Sequence, residues 1–231
     1  MNYGDENLLN RQKWVMKTLE ALPPGLKIID VGAGECQYKK YCDHLDYISQ
    51  DFNQYTGEGD GVGFQTGEWD VSRIDIVSDI VNIPVENECF DVVLCTEVLE
   101  HVPDPVLALK EMTRILRKGG IIIVTAPFCS LTHFAPYHFS DGFNQYFFQY
   151  HFDNLNIKIV EISSNGNYFK YIGQELQRLP SMAKKYLSSN SILIKLFSML
   201  LVKLITLIDN NNNGSESILC FGYHVIGKKN K

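Results

Sequence analysis

The sequence predicts an α/β fold, a sheet with helices on both faces, and three observations predict it. The run Lys27–Val31 ends in an acid side chain region and passes through Gly32 and Gly34 into polar residues, the strand, tight turn and helix that open a nucleotide-type site. Further on, the strand Asp91–Cys95 carries the unbroken apolar run of a strand buried on both faces. Between and after these runs lie stretches of helical period, so strands and helices alternate.

With 231 residues, 45% of them hydrophobic and 21% charged, the chain can fill one core and is short for two. One domain over 1–231 is expected, with an N-terminal helical cap over 1–25 and a helical insertion over 165–210 before the last strand. The net charge of −6 leaves no basic footprint, so nucleic acid is not expected as a partner. The six cysteines show neither C-x-x-C pairs nor zinc-ligand spacing and read as reduced, mostly buried thiols. The polar, acidic N-terminus lacks a signal-peptide pattern, so a cytoplasmic protein is expected.

Each element follows in order. Leu8, Leu9, Trp14, Val15 and Leu19 recur at helical spacing over Asn7–Leu22, and Pro23, Pro24 and Gly25 stop that helix. After the first strand, Lys27–Val31, a helix is predicted from Gln37–Cys42, then a second strand Leu45–Ser49 ending in Gln50 and Asp51. Five glycines crowd Tyr55–Trp69, where a crossover helix is usual; glycine disfavours a helix by ~1 kcal/mol per position. A loop is predicted there, either folded over a ligand or plain surface. Asp75–Ser78 is the third strand and Asp91–Cys95 the fourth, with a short helical turn at Glu97–His101 punctuated by Pro103 and Pro105. The helix Val106–Leu116 is ended by Arg117, Lys118 and the Gly119-Gly120 pair. The remaining strands are Ile121–Ala126, Ile157–Ile162 and Ile218–Ile226, and the remaining helices are Asn144–Asn154, Tyr168–Tyr186 and Ser191–Ile208.

The glycine turn narrows the ligand. A P-loop would need Gly-Lys-Ser/Thr, which is absent, and a dinucleotide site would place a third glycine where Gln37 stands. A nucleoside without phosphates remains, commonly S-adenosylmethionine. Asp51 lies nineteen residues beyond Gly32, where such domains place the acid that accepts from ribose hydroxyls.

At these residues the sequence resembles the class I S-adenosylmethionine-dependent methyltransferases, with Cys36 at the third position of their G-x-G-x-G turn. FDVVLCTEVLEHVPDP, Phe90–Pro105, resembles the fourth motif of small-molecule members such as ubiquinone-pathway O-methyltransferases, and RILRKGG resembles their RxLKPGG turn. The resemblance implies a Rossmann-like seven-stranded sheet of order 3-2-1-4-5-7-6 with the last strand antiparallel. It implies S-adenosylmethionine as cofactor, with Asp79 and Ile80 at the adenine. Gly32, Ala33, Gly34, Cys95 and Thr96 would lie near the methionine end, and Asp30 beneath the turn. Transfer of a methyl group to a small-molecule acceptor, an oxygen nucleophile, is the function expected. The alternatives are a non-catalytic member that binds cofactor or partner, and a nicotinamide oxidoreductase, which Gln37 disfavours.

An oxygen acceptor must lose a proton, and histidine suits that near neutral pH. His133 and His138, in the aromatic stretch after the fifth strand, are the candidate bases. No metal is expected. The alternative is Glu97, Glu100 and His101, spaced i, i+3 and i+4 as on one helix face, where the resemblance implies a metal. The apolar helix 191–208 carries Lys195 and Lys203 and needs a cover: the protein's own core, a second copy in a homodimer, or a membrane surface.

Overall fold

The computed structural model describes residues 3–70, 72–188 and 192–231. The chain divides into two compact units, one of Met1–Lys13 with Ser164–Phe221, the other of Trp14–Ser163 with Gly222–Lys231.

The larger unit is built on a seven-stranded sheet. Its strands are β1 (Lys27–Val31), β2 (Asp46–Asp51), β3 (Ile76–Val77), β4 (Phe90–Thr96), β5 (Leu116–Pro127), β6 (Ile157–Asn165) and β7 (Gly222–Lys229). Their order is β3-β2-β1-β4-β5-β7-β6, as expected. The pairs β1–β2, β1–β4, β2–β3 and β4–β5 are parallel, whereas β7 runs antiparallel to β5 with Val124 opposite Val225. Parallel strands put their C-terminal ends on one edge, so Val31, Asp51 and Thr96 finish near one another.

The core follows from the side-chain alternation of the strands. Ile28, Val92, Leu94 and Ile123 share a buried cluster with Val15, Leu19 and Leu22 from the end of helix α1 (Tyr3–Glu20) and its exit. Fully burying each such aliphatic side chain contributes about 1.5–3 kcal/mol, so this cluster dominates the local energetics. Helix α2 (Pro105–Ile115) starts where Asp104 accepts from the amides of Val106 and Leu107 at 3.1 and 3.0 Å, with Pro105 in the first turn. Helix α3 (Gln145–Asn154) is capped by Asn144, which accepts from the Phe147 amide at 3.1 Å.

Three elements differ from expectation, one of them the last strand, which begins at Gly222 rather than Ile218 and runs to Lys229. In place of a helix from Gln37 there is one 3-10 turn, Lys39–Tyr41, because Cys36 takes a left-handed φ of 56° and the next strand begins soon after. The residues predicted to end α2 instead belong to β5: Leu116 is already extended and pairs with Phe90, and the register slips before Val92 meets Ile121. Arg117, read as a helix-terminal cation, donates to Asp91 at 2.7 Å across the strands.

In the smaller unit, helices α4 (Tyr168–Leu187) and α5 (Ile192–Asp209) form an antiparallel pair joined to the first turns of α1. Polar bonds tie its inner side. Tyr3 bonds through its hydroxyl to Thr206 at 2.9 Å, Asn167 donates to Asp209 at 2.7 Å, and Lys170 pairs with Glu6. A Cβ on Gly173 would meet the Tyr3 ring at 2.3 Å, so glycine there lets the ring lie against α4. Ser191, where the sequence begins the second helix, lies outside the described residues. Among the described residues no helix is long and apolar enough to cross a membrane.

Candidate active site

The turn after β1 requires its glycines. Gly32 and Gly34 have φ of +72° and +52°, and a Cβ on Gly32 would stand 2.4 Å from Val98. The amides of Gly32 and Ala33 donate to the Gln50 carbonyl at 2.8 and 2.9 Å, and that of Gly34 donates to Asp51 Oδ2 at 3.0 Å. The turn is thus latched to the end of β2. Cys36 adopts the left-handed conformation that a third glycine would take, at a cost of about 1–2 kcal/mol. Asn53, Glu97 and Phe134 also have φ between 53° and 58° on the loops of this sheet edge, a concentration of backbone strain typical of functional sites.

The expected acids occupy different settings. Asp30 is buried, and Tyr47 donates to its Oδ2 at 2.7 Å. Burial pushes its pKa up to about 7 against the opposing Tyr47 bond, and the charge of Asp51 adds to the rise. Asp51 ends β2 and accepts from the amides of Gly34 and Asn53, the latter at 2.8 Å; each oxygen keeps a second lone pair. Asp79 is exposed and accepts from the Val81 amide at 3.1 Å, while Ile80 beside it is buried. Cys95 is wholly buried, which pushes its thiol pKa well up, and Thr96 follows half-buried at the strand end.

Sequence reasoning missed Gln50 and Trp69. The buried Gln50 side chain donates to the Ser78 carbonyl at 2.7 Å, joining the end of β2 to the segment before Asp79. A Cβ on Gly34 would stand 3.1 Å from the Trp69 ring, so Trp69 lies over the glycine turn. A tryptophan inside a glycine-rich loop was the available signal.

That loop is not plain surface. It pairs with the segment after β5: the Phe64 amide donates to Thr132 at 3.1 Å, the Phe134 amide to Phe64 at 2.9 Å, and the Asp60 amide to Ala135 at 3.0 Å. Glycine makes this approach sterically allowed, since a Cβ on Gly59 would sit 2.0 Å from the Ala135 carbonyl oxygen and one on Gly63 2.3 Å from that of Thr132. Tyr55 stacks on Phe134 and meets Trp69 edge-on, with centroids 4.7 and 5.2 Å apart.

The expected histidines converge. His133 and His138 lie 4.9 Å apart by ring centroid, and His101 lies 4.6 Å from His133 and stacks on Phe134. His101 Nδ1 is 2.6 Å from the Tyr137 carbonyl and His133 Nδ1 is 2.9 Å from that of Leu131. A carbonyl can only accept, so both rings carry hydrogen on Nδ1 and present Nε2 as a lone pair when neutral. These Nε2 atoms lie 3.7 and 4.0 Å from Oε1 of the buried Glu100. Burial, with the neighbouring His133, lowers the His101 pKa to about 3, so His101 is neutral at physiological pH. His138 Nε2 is 3.2 Å from the Ser130 hydroxyl.

Among the described residues, one donor atom each from Glu100, His101 and His133 lies within 4.8 Å of the others, so this trio fits a cation. Nδ1–H bonds to carbonyls are how metal-ligating imidazoles are oriented, and a carboxylate with two imidazoles suits a divalent transition metal. Glu97 turns the chain at the end of β4, its amide donating to Thr125 at 2.9 Å. Two surface clefts, one lined by Lys158 and Lys228, the other by Trp14 and Glu161, contain none of these residues.

Known proteins resemble this chain over the sheet. Residues 29–124 match the methyltransferase domain family. A demethylmenaquinone methyltransferase of Staphylococcus haemolyticus is 33% identical over 118 residues, 48% of this chain and 47% of that protein. The chain therefore spans about half the length of this curated relative. A SAM-dependent methyltransferase from Archaeoglobus fulgidus has a similar fold, with a TM-score of 0.57 at 15% identity over 97% of this chain and 94% of that one. Phosphoethanolamine N-methyltransferase 2 of Haemonchus contortus, solved in complex with S-adenosyl-L-methionine, aligns with a TM-score of 0.54 at 16% identity, covering 96% of this chain and 53% of that one. With a match to the methyltransferase domain family over 29–124 and the sheet order 3-2-1-4-5-7-6 around it, the chain resembles the S-adenosylmethionine-dependent methyltransferases.

Proposed function

We propose that this protein transfers the methyl group of S-adenosylmethionine to an oxygen of a small-molecule acceptor. The observation that carries the oxygen is His133, whose Nδ1–H is committed to Leu131 while Nε2 faces the carboxylate of Glu100. In this reading Nε2 of His133 takes the acceptor's hydroxyl proton, with Glu100 favouring the imidazolium and His138 alongside. The oxygen lone pair forms the new bond to the methyl carbon as the carbon–sulfur bond breaks, and the neutral thioether leaves. Holding donor and acceptor in line supplies up to about 7–11 kcal/mol of the barrier reduction.

For the cofactor, Asp51 receives the ribose, Asp79 and Ile80 the adenine, and Gly32, Ala33, Gly34 and Thr96 the methionine end, with Asp30 shaping the turn from below. Cys95 contributes through its backbone, its side chain being buried. The whole chain 1–231 acts as one methyltransferase domain bearing a helical insertion. A cytoplasmic setting goes with six cysteines that form no disulfide. The Staphylococcus relative is named for demethylmenaquinone, so quinols are the first acceptors to try, with oxygen and ring-carbon products both read out.

Labelled S-adenosylmethionine, supplied with hydroxylated aromatic acceptors, tests the reading. The label is expected on oxygen, and His133→Asn is expected to lower kcat by about a hundredfold or more while cofactor affinity holds. A label found on carbon or nitrogen overturns the oxygen acceptor. Cofactor bound without transfer to any acceptor favours a non-catalytic member of the fold.

The trio Glu100, His101 and His133 favours a second reading in which it holds a divalent cation. Such an ion would supply Lewis-acid polarisation of an acceptor oxygen. Visible spectra of the protein titrated with cobalt would read ligation directly; absorption that is unchanged in His133→Ala refutes this ligand set.

A further inference from the structure

Helix α5 wears its amphipathicity inside out. Its one wholly buried residue is Ser198, and Thr206 and Asp209 bond to neighbours on the same side. Ten of its eighteen residues are large apolar side chains left exposed, among them Leu193 at 64%, Phe197 at 63% and Leu207 at 71%. At 100° per residue they fill an arc of about 200°. Leu179, Tyr186 and Leu187 of α4 are exposed as well. The small unit's own packing therefore leaves this face uncovered, and soluble monomers rarely leave so much apolar surface in one place.

Charge selects the cover. From Leu179 to Ile208 the chain has four lysines, Lys184, Lys185, Lys195 and Lys203, all exposed, and no acid, although the whole protein carries −6. A second copy meeting this face about a two-fold axis would bring eight lysines and no carboxylate of this segment into one interface. An anionic lipid surface pairs with every one of them and takes up the leucines as well. Lysines around a wide apolar face, with a tyrosine near its end, are the composition of a helix lying in the plane of a bilayer interface. We infer that the α4–α5 pair docks this face onto an anionic membrane surface, with α5 lying in the interface and its Ser198 side turned to the protein.

Flotation of the full chain with phosphatidylcholine vesicles, with and without phosphatidylglycerol, tests this. The protein is expected to float with the anionic vesicles, at least about tenfold more weakly with the neutral ones, and less in high salt. Replacing the four lysines by glutamine, or Phe197 and Leu200 by serine, should abolish flotation; these side chains are exposed, so the fold survives, checked by circular dichroism. In the unaltered protein, anionic vesicles should slow hydrogen exchange across 192–209. Protein left in solution with both vesicles, binding indifferent to the lysines, or a concentration-dependent dimer that Leu200→Ser dissolves would each overturn the inference.

Discussion

Tyr47 donates a 2.7 Å hydrogen bond to Asp30, whose carboxyl is buried under the glycine turn. That single bond does not offset burial, and the Asp30 pKa stands at about 7 against 3.8 for an exposed aspartate. The folded state then holds the Asp30 proton more tightly than the unfolded chain. Its contribution is full below about pH 4 and is lost as pH rises to about 7. His101 is opposite: its folded value near 3 lies below 6.5, so stability is lost as pH falls below 6.5. Over roughly pH 4–6.5 the two slopes cancel in part. Asp30→Asn, which keeps an acceptor for Tyr47, should gain up to roughly 4 kcal/mol over the parent at pH 8 and become steadily more stable between pH 4 and 6.5. Urea midpoints across that range would read both effects; parallel curves for the two proteins would place the Asp30 carboxyl in water.

Asp51 latches the turn and, in our reading, the ribose. Asp51→Ala should weaken S-adenosylmethionine binding by at least about tenfold, each charge-assisted bond being worth roughly 1.5–3 kcal/mol. Calorimetry on the folded variant is the measurement, and unchanged affinity would remove Asp51 from the cofactor site.

Trp69 lies over Gly34, whereas the chain's other tryptophan, Trp14, stacks on His224 at 4.7 Å. Adding cofactor should change the tryptophan emission of the protein and of Trp14→Phe, but not of Trp69→Phe. An equal change in all three proteins would mean that the glycine turn is not where the ligand lies.

Gly59→Ala should part the two loops, since the new Cβ has neither room at 2.0 Å from Ala135 nor an easy φ at +53°. Faster hydrogen exchange is expected in 56–69 and 130–138 together, with the sheet unchanged. Exchange confined to the first of these segments would show that the loops are held independently.

What the sequence disclosed, and what it hid, follows from the range of each interaction. Gly32, Gly34 and the strand runs were legible because dihedral demand and burial act within a few residues. Asp104 and Asn144 cap their helices by equally local bonds. The pairing of Phe64 with His133 left no periodic trace, because it joins two irregular segments by backbone groups that every residue has. Lys118 and Gly119-Gly120 looked like a helix terminus, and only the pairing of Leu116 and Ile121 with β4 on either side of them draws them into a strand. His133 and His138 were legible as reactive types, but their meeting with His101 and Glu100 belongs to the tertiary fold. The periodicity of α5 gave its existence; which side it buries depends on Tyr3 and Asn167, distant residues that accept its polar face.

The bridge between Phe64 and His133 ties the segment covering the glycine turn to the segment carrying the histidines. Two doors on one bolt cannot be opened separately. In our reading, whatever loosens one side of the site loosens the other, so release of the spent cofactor and of the methylated product should quicken or slow together when either segment is altered.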